Sequence, residues 1–158
     1  MLTVDTKNME VMFGKMKEAE LSIAGYYTAC FEKDSLENKS FWRALSEAEV
    51  RHAGNMDKML ALIKKTPYHY YCGLDFDPVN IKELVDEAKT SVLKVVNLQL
   101  LGKSMLLTAR NLEDRLLEKK YFETVKSEEK EFVEMLNIMK EETKQHREML
   151  LKKLEAVK

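Results

Sequence analysis

The sequence predicts an all-α protein whose core is a bundle of four long helices. Of its 158 residues only 5 are Gly and 2 are Pro, whereas Leu, Met, Ala, Glu and Lys, which favour helices, are abundant. Apolar residues recur at steps of three and four along most of the chain, which is the period of one face of an α-helix. We expect a chain of this length to form a single domain, residues 1–158.

The first two predicted helices are separated by a short polar link. An apolar stripe that begins at Met9 continues to near Asp34, and a second stripe ends before Pro67. Asp34 and Glu37 have the spacing of a capping box, in which two side chains bond the free N–H groups at the start of a helix. Because the link is short, we expect the two helices to be antiparallel neighbours.

Residues 66–77 lack helical periodicity and are interpreted as a long crossover between two helix pairs. Asp77 followed by Pro78 predicts the start of a helix, because Asp is a frequent N-cap and Pro is tolerated at the first helical position. We expect an extra short helix from there to about Lys89, or as far as Gly102.

The third and fourth bundle helices are predicted to follow this extra helix. Helical periodicity continues to about Thr124, and Ser127 is the predicted N-cap of the fourth helix. The bundle would then contain two antiparallel helix pairs joined by one long connection.

Five polar side chains interrupt the apolar stripes of these helices. Burying an unpaired carboxylate costs several kcal/mol or more, so each inward acid requires a proton, a cation or a metal ion as its partner. Carboxylate and imidazole groups together suit iron, manganese or zinc. The candidate metal ligands are Glu20 on the first helix, Glu49 and His52 on the second, Glu113 on the third and His146 on the fourth.

The spacing of these residues repeats weakly between the two halves of the chain. Glu49 and His52 are three residues apart, so both side chains leave one face of the second helix. Glu113 precedes His146 by 33 residues, and Asp114, which precedes it by 32, is the alternative ligand on the third helix. Glu20 precedes His52 by the same 32 residues.

Glu20, followed by Tyr26-Tyr27 and then by Glu49-Val50-Arg51-His52, resembles the first half of the rubrerythrin branch of the ferritin-like superfamily. The resemblance covers nearly the whole chain and implies a four-helix ferritin-like bundle. It implies iron as the cofactor, with manganese or zinc as alternatives and one or two ions bound. It also implies reduction of peroxide or reaction with oxygen.

The second half departs from this pattern at Thr143, where the family has the Glu that bridges two metal ions. Without that bridge, either a single-metal site or a weaker second ion is expected. Glu142 lies one position away and about 100° around the helix. Glu118 and Glu142 flank the apolar stripes, and either carboxylate could turn inward.

The resemblance also has consequences for partners. Rubrerythrins carry a Cys-rich rubredoxin module, whereas Cys30 and Cys72 are isolated here, so a peroxidase would require an external electron donor. Dimers are common among such bundles, and a homodimer is expected. Tyr26 and Tyr27 are interpreted as core residues, with a hydrogen bond to a metal ligand as the alternative.

Charge and hydropathy argue against two classes of partner. The 27 acidic and 26 basic residues are interleaved, which is unlike a nucleic-acid or anionic-membrane surface. No apolar run approaches the roughly 20 residues that span a bilayer, and the N-terminus lacks a signal-peptide pattern. We therefore expect a cytoplasmic protein. The alternative function is a metal-free, degenerate ferritin-like bundle with a structural or protein-interaction role, its inward acids and histidines paired with each other.

Overall fold

The computed structural model describes residues 1–118 and 121–157, except for the side chain of Glu118. This part of the chain is mostly helical, with one short two-stranded sheet, so the all-α prediction is confirmed. The helices are α1 (Thr6–Lys33), α2 (Lys39–Lys65), α3 (Pro78–Val96), α4 (Lys103–Glu118) and α5 (Lys130–Ala156), and the strands are β1 (Tyr70–Cys72) and β2 (Val125–Ser127).

Two helix pairs form the body of the molecule. Helices α1 and α2 pack along each other and are joined only by residues 34–38, so they run antiparallel. Helix α5 packs along α4, where Asp114 contacts Arg147. Beyond the end of α4, Glu123 contacts Lys140. The later residue of the α4 segment thus contacts the earlier residue of α5. This pair is therefore also antiparallel.

Helix α3 runs along the bundle and connects the first helix pair to the second. Strand β1 pairs antiparallel with β2, which places the end of α2 and the start of α5 at one end of the molecule, called here the sheet end. Helix α3 starts near this end and packs along α1, and its Glu87 contacts Arg115 of α4. The predicted crossover at residues 66–77 is thus only the turn at the sheet end. The extra helix makes the crossing and ends at Val96, between the two predicted ends at about Lys89 and Gly102.

The turn between α1 and α2 is stabilised by Asp34 in a way that the capping-box prediction missed. The Asp34 carboxylate accepts hydrogen bonds from the Trp42 indole N–H at 2.7 Å and from the Asn38 amide at 3.2 Å. Glu37 is exposed and does not form the predicted box. Trp42 is fully buried, so its N–H requires a partner inside the protein, and Asp34 supplies it.

The other predicted helix ends are partly confirmed. Asp77 is the N-cap of α3, where its side chain accepts two backbone N–H groups of the first turn. Ser127 lies in β2 instead of capping α5, although its hydroxyl accepts the N–H of Glu129 at 3.1 Å. The third bundle helix is shorter than predicted, since α4 ends at Glu118 and residues 121–123 form a separate 3-10 turn. Within the described residues, no helix combines the length and apolar character needed to cross a membrane.

Replacing Asp34 tests this account of the turn. Asp34→Ala would leave the buried Trp42 N–H without its acceptor, which is expected to lower the free energy of unfolding by about 1–3 kcal/mol. Glu37→Ala is the matched control, because an exposed side chain outside any cap should change stability by less than about 0.5 kcal/mol. Urea unfolding of both variants makes the comparison. A larger loss in Glu37→Ala than in Asp34→Ala would support the capping box instead.

Candidate metal centre

All five predicted ligand residues are buried in one cluster in the middle of the bundle. Each comes from the apolar face of its helix, which is why the helical period identified them. Glu49 and Glu113 have no exposed surface and His146, the most exposed of the five, retains 7%. The cluster consists of Glu20 from α1, Glu49 and His52 from α2, Glu113 from α4 and His146 from α5.

A first group of three ligands joins α1 and α2. His52 Nδ1 lies 3.7 Å from Glu20 Oε2 and 3.4 Å from Glu49 Oε2. One nitrogen or oxygen atom from each residue lies within 4.8 Å of the others, a spacing that allows one ion to contact all three. Two carboxylates and one imidazole form a donor set that divalent first-row metals accept.

A second group joins α2, α4 and α5 and shares Glu49 with the first. His146 Nδ1 lies 3.1 Å from Glu49 Oε1 and 3.4 Å from Glu113 Oε1. Glu49 therefore directs Oε2 to the first group and Oε1 to the second. Asp114, the alternative to Glu113, instead contacts Arg147 away from the cluster.

Several polar atoms of the cluster have no hydrogen-bond partner. These buried atoms are Glu20 Oε2, Glu49 Oε2, Glu113 Oε2 and His52 Nδ1. His52 Nδ1 lies 3.7 Å from Glu20 Oε2 and 3.4 Å from Glu49 Oε2, and neither contact is a hydrogen bond. A buried acceptor left without a partner is expensive, and several converging on one point are what a cation would satisfy. The residues present thus fit a metal ion.

Glu142 orients the His52 ring from outside the cluster. Its Oε2 atom lies 2.7 Å from His52 Nε2, and it is about 29% exposed. A proton on Nε2 that is donated to Glu142 leaves the lone pair of Nδ1 facing Glu20 and Glu49. The sequence predicts that Glu142 flanks the stripe and could turn inward, but it does not assign it this role. The side chain of Glu118, the other flanking acid, lies outside the described part of the chain.

Tyr27 holds the carboxylate of Glu113. Its hydroxyl donates a hydrogen bond of 2.5 Å to Glu113 Oε1, which leaves Oε2 available to a cation. Tyr27 is fully buried, as the core interpretation predicted, and it also bonds a candidate ligand. Tyr26 differs, because its hydroxyl donates to the backbone carbonyl of Met105 at 2.7 Å.

Thr143 contributes no bridging carboxylate to the centre. It is fully buried, and its hydroxyl donates to the carbonyl of Met139 one turn earlier at 2.9 Å. Position 143 thus offers no carboxylate to the site. Glu49 is the carboxylate that the two groups share.

Protons balance the buried charge when no metal is bound. Burial and the charge of Glu49 raise the pKa of Glu20 well above its usual value. Burial alone would lower the pKa of His52, but its contacts with Glu20 and Glu49 outweigh this effect and raise that pKa to about 11. The pKa of His146 is raised to about 9 by Glu113 and Glu49, again against the effect of burial. Protons and metal ions therefore compete for the same atoms.

Comparisons with known proteins do not identify a family for this chain. No family model matches it, and neither the curated proteins nor the solved structures include a match. The function must therefore be inferred from the site itself.

The stability of the metal-free protein should fall as the pH rises from about 6.5 to about 9. The folded-state pKa of His146 lies above its ordinary value of 6.5, so its contribution is complete below pH 6.5 and is lost as pH rises through about 9. The raised pKa values of His52 and Glu20 act in the same direction. Thermal unfolding of chelator-treated protein across this range measures the effect.

Two histidine variants separate this effect from general alkaline destabilisation. His146→Gln should make the fall in stability with rising pH less steep. His69→Gln, which changes a half-exposed histidine at the sheet end, should show the same fall as the wild type. Equal slopes in the wild type and in His146→Gln would contradict the assignment.

Removing the charge of Glu142 should weaken metal binding without removing a ligand. Glu142→Gln is expected to reduce the affinity for Co²⁺ or Mn²⁺ by about 10- to 100-fold, because the carboxylate fixes the ring and the tautomer of His52. Glu141→Gln, one position along and exposed, is the matched control. Metal titrations of the two variants provide the test, and equal affinities would show that Glu142 does not support His52.

Proposed function

We propose that this chain is a rubrerythrin-like protein that binds two transition-metal ions in the bundle core and reduces peroxide or reacts with oxygen. The observation that carries the proposal is the position of Glu49, whose two carboxylate oxygens face two separate ligand groups. Iron is the proposed metal, and manganese and zinc are the alternatives that the donor atoms also suit.

The connectivity of the helices supports a ferritin-like architecture. Two antiparallel pairs, α1 with α2 and α4 with α5, are joined by a connection that crosses the length of the bundle. Bundles with one such crossover place carboxylates and histidines from facing helices in the core, as this chain does. Helix α3 is the feature that we propose to be peculiar to this protein, since it makes the crossing as a helix of 19 residues.

The two ions would be held unequally. Glu20, Glu49 and His52 would hold the first ion, and Glu142 supports that group from outside. Glu49, Glu113 and His146 would hold the second. Because Thr143 supplies no second bridge between the groups, we expect the second ion to be bound more weakly than the first.

Bound iron would supply the capacity to transfer electrons to peroxide or oxygen. The protein residues restrict what reaches the centre, because four of the five ligands are at most 1% exposed. His146, at 7%, is the proposed ligand with the most exposed surface, and so closed a site would favour a small oxidant such as hydrogen peroxide. Turnover would need an external electron donor. We further propose a homodimer in the cytoplasm that has neither a nucleic-acid nor a membrane partner.

A metal-free structural bundle is the second candidate, and one observation favours it. Each histidine already lies 3.1–3.7 Å from two carboxylates, so protonated imidazoles could neutralise the buried acids without any metal. In that case the protein would act through its surface. The unpartnered oxygens of Glu20, Glu49 and Glu113 favour the metal-binding proposal over this alternative.

The shared role of Glu49 gives the main test of the proposed function. Glu49→Gln preserves the shape of the side chain but removes the charge common to both groups, so it should abolish binding of both ions. Glu47→Gln, on the exposed face of the same helix, should retain two ions per chain. Elemental analysis and Co²⁺ absorption spectra after metal loading count the ions.

Peroxide chemistry is tested on the same pair of variants. Hydrogen peroxide should rapidly oxidise the Fe²⁺ loaded into the wild type or into Glu47→Gln. With Glu49→Gln, Fe²⁺ should be oxidised only at the rate of free iron. Metal content that does not change in Glu49→Gln would overturn the proposed centre. Two bound ions with no reaction towards peroxide or oxygen would overturn the redox function and leave the metal site.

A further inference from the structure

Two buried aromatic rings lead away from the metal centre. The Tyr27 hydroxyl donates to Glu113 Oε1 at 2.5 Å. The Tyr27 ring stacks on Trp42, with ring centroids 5.9 Å apart and planes inclined by 29°. Neither ring has exposed surface. Two π-systems at this separation are in contact, so an electron can pass between them without crossing a gap.

Trp42, the outer of the two rings, contacts partly exposed residues at the α1–α2 turn. Trp42 Nε1 donates to Asp34 Oδ2 at 2.7 Å, and Asp34 is partly exposed. Phe41, also partly exposed, packs edge-on against Trp42 with centroids 5.1 Å apart. A continuous path of contacts therefore runs from Glu113 to solvent.

We propose that Tyr27 and Trp42 form a relay that carries single electrons from the protein surface near Asp34 to the metal centre. This inference rests on the proposed function, because it supplies the route by which an external donor would reach a buried, closed site. It names the residues of that route, which neither the sequence pattern nor the ligand geometry assigns.

Each step of the relay accounts for its electron and its proton. Tyr27 would give one electron towards the centre once hydrogen peroxide has oxidised a bound metal, and would pass its phenolic proton to Glu113. Trp42 then returns an electron to the tyrosyl radical, which regains its proton from Glu113, while the indole proton passes to Asp34. A one-electron donor protein of the iron–sulfur or flavin class reduces the tryptophanyl radical, and Asp34 returns the proton. Two such passages, with two solvent protons, convert one peroxide to two waters.

The carboxylate beside each ring distinguishes this pair from other aromatic residues of the core. A phenol or an indole becomes a much stronger acid when it loses an electron, so its oxidation is easier where a base can accept the proton. Tyr27 has Glu113 and Trp42 has Asp34 for this purpose. Tyr26, whose ring centroid is 6.0 Å from that of Tyr27, donates instead to a backbone carbonyl, which is too weak a base to take the proton.

The relay is tested on metal-free protein, so that its failure is independent of metal binding. Trp42 is the only tryptophan of the chain, and a laser flash at the long-wavelength edge of its absorption ionises it selectively. Transient absorption should show the tryptophanyl radical decaying as a tyrosyl radical forms. Tyr27→Phe should abolish this conversion, and Tyr26→Phe, the matched control, should retain the wild-type rate.

A second measurement tests the direction of transfer in the loaded protein. Fe²⁺-loaded protein given excess hydrogen peroxide without a donor should lose Trp42 fluorescence and gain oxidised Trp42 in peptide mass spectra. Tyr27→Phe with unchanged iron content should lose this oxidation, while Tyr26→Phe should not. Radical conversion that persists in Tyr27→Phe, or that is absent from the wild type, would overturn the relay. Equal Trp42 oxidation in the two variants would also overturn it.

Discussion

Three carboxylates converge on the middle of an otherwise apolar bundle, and the surrounding structure compensates their negative charge. Glu20, Glu49 and Glu113 are almost completely buried, and an uncompensated charge at such a position would cost several kcal/mol. Two imidazoles supply the first compensation, and they do so by binding protons in the absence of metal. The same oxygens and nitrogens suit metal ions, so metal binding at this cluster would be coupled to protonation and to stability.

Polar contacts extend outward from the buried cluster in two directions. Glu142 bonds the far nitrogen of His52 and lies at the surface between α2 and α5. On the other side Tyr27 bonds Glu113, and Trp42 connects Tyr27 with Asp34 at the α1–α2 turn. The residue that fixes the fold of this turn is thus also the outermost group of the proposed electron path. The stability of the turn and the proposed electron path depend on the same contact there.

The parts of the site that the sequence predicted are those that depend on helical periodicity alone. All five inward residues are buried, because a polar side chain in the middle of an apolar stripe must follow that stripe into the core. Periodicity alone assigned no role to Glu142 and did not decide which group the hydroxyl of the buried Tyr27 bonds. Glu142 lies off the stripe, and only the approach of α5 to α2 brings it to His52. The capping box failed for a similar reason, since the distant indole of Trp42 takes the Asp34 carboxylate.

The sequence by itself determined the helices and the five residues that face the core. It left open whether Glu113 or Asp114 faces the cluster, whether one or two ligand groups form, and how α3 connects the two pairs. The tertiary structure decided these points, placing Glu113 inward and Glu49 between two groups. The physical reason is that periodicity is a local property of one helix. Which atoms meet across the bundle depends on the relative rotation and height of four helices.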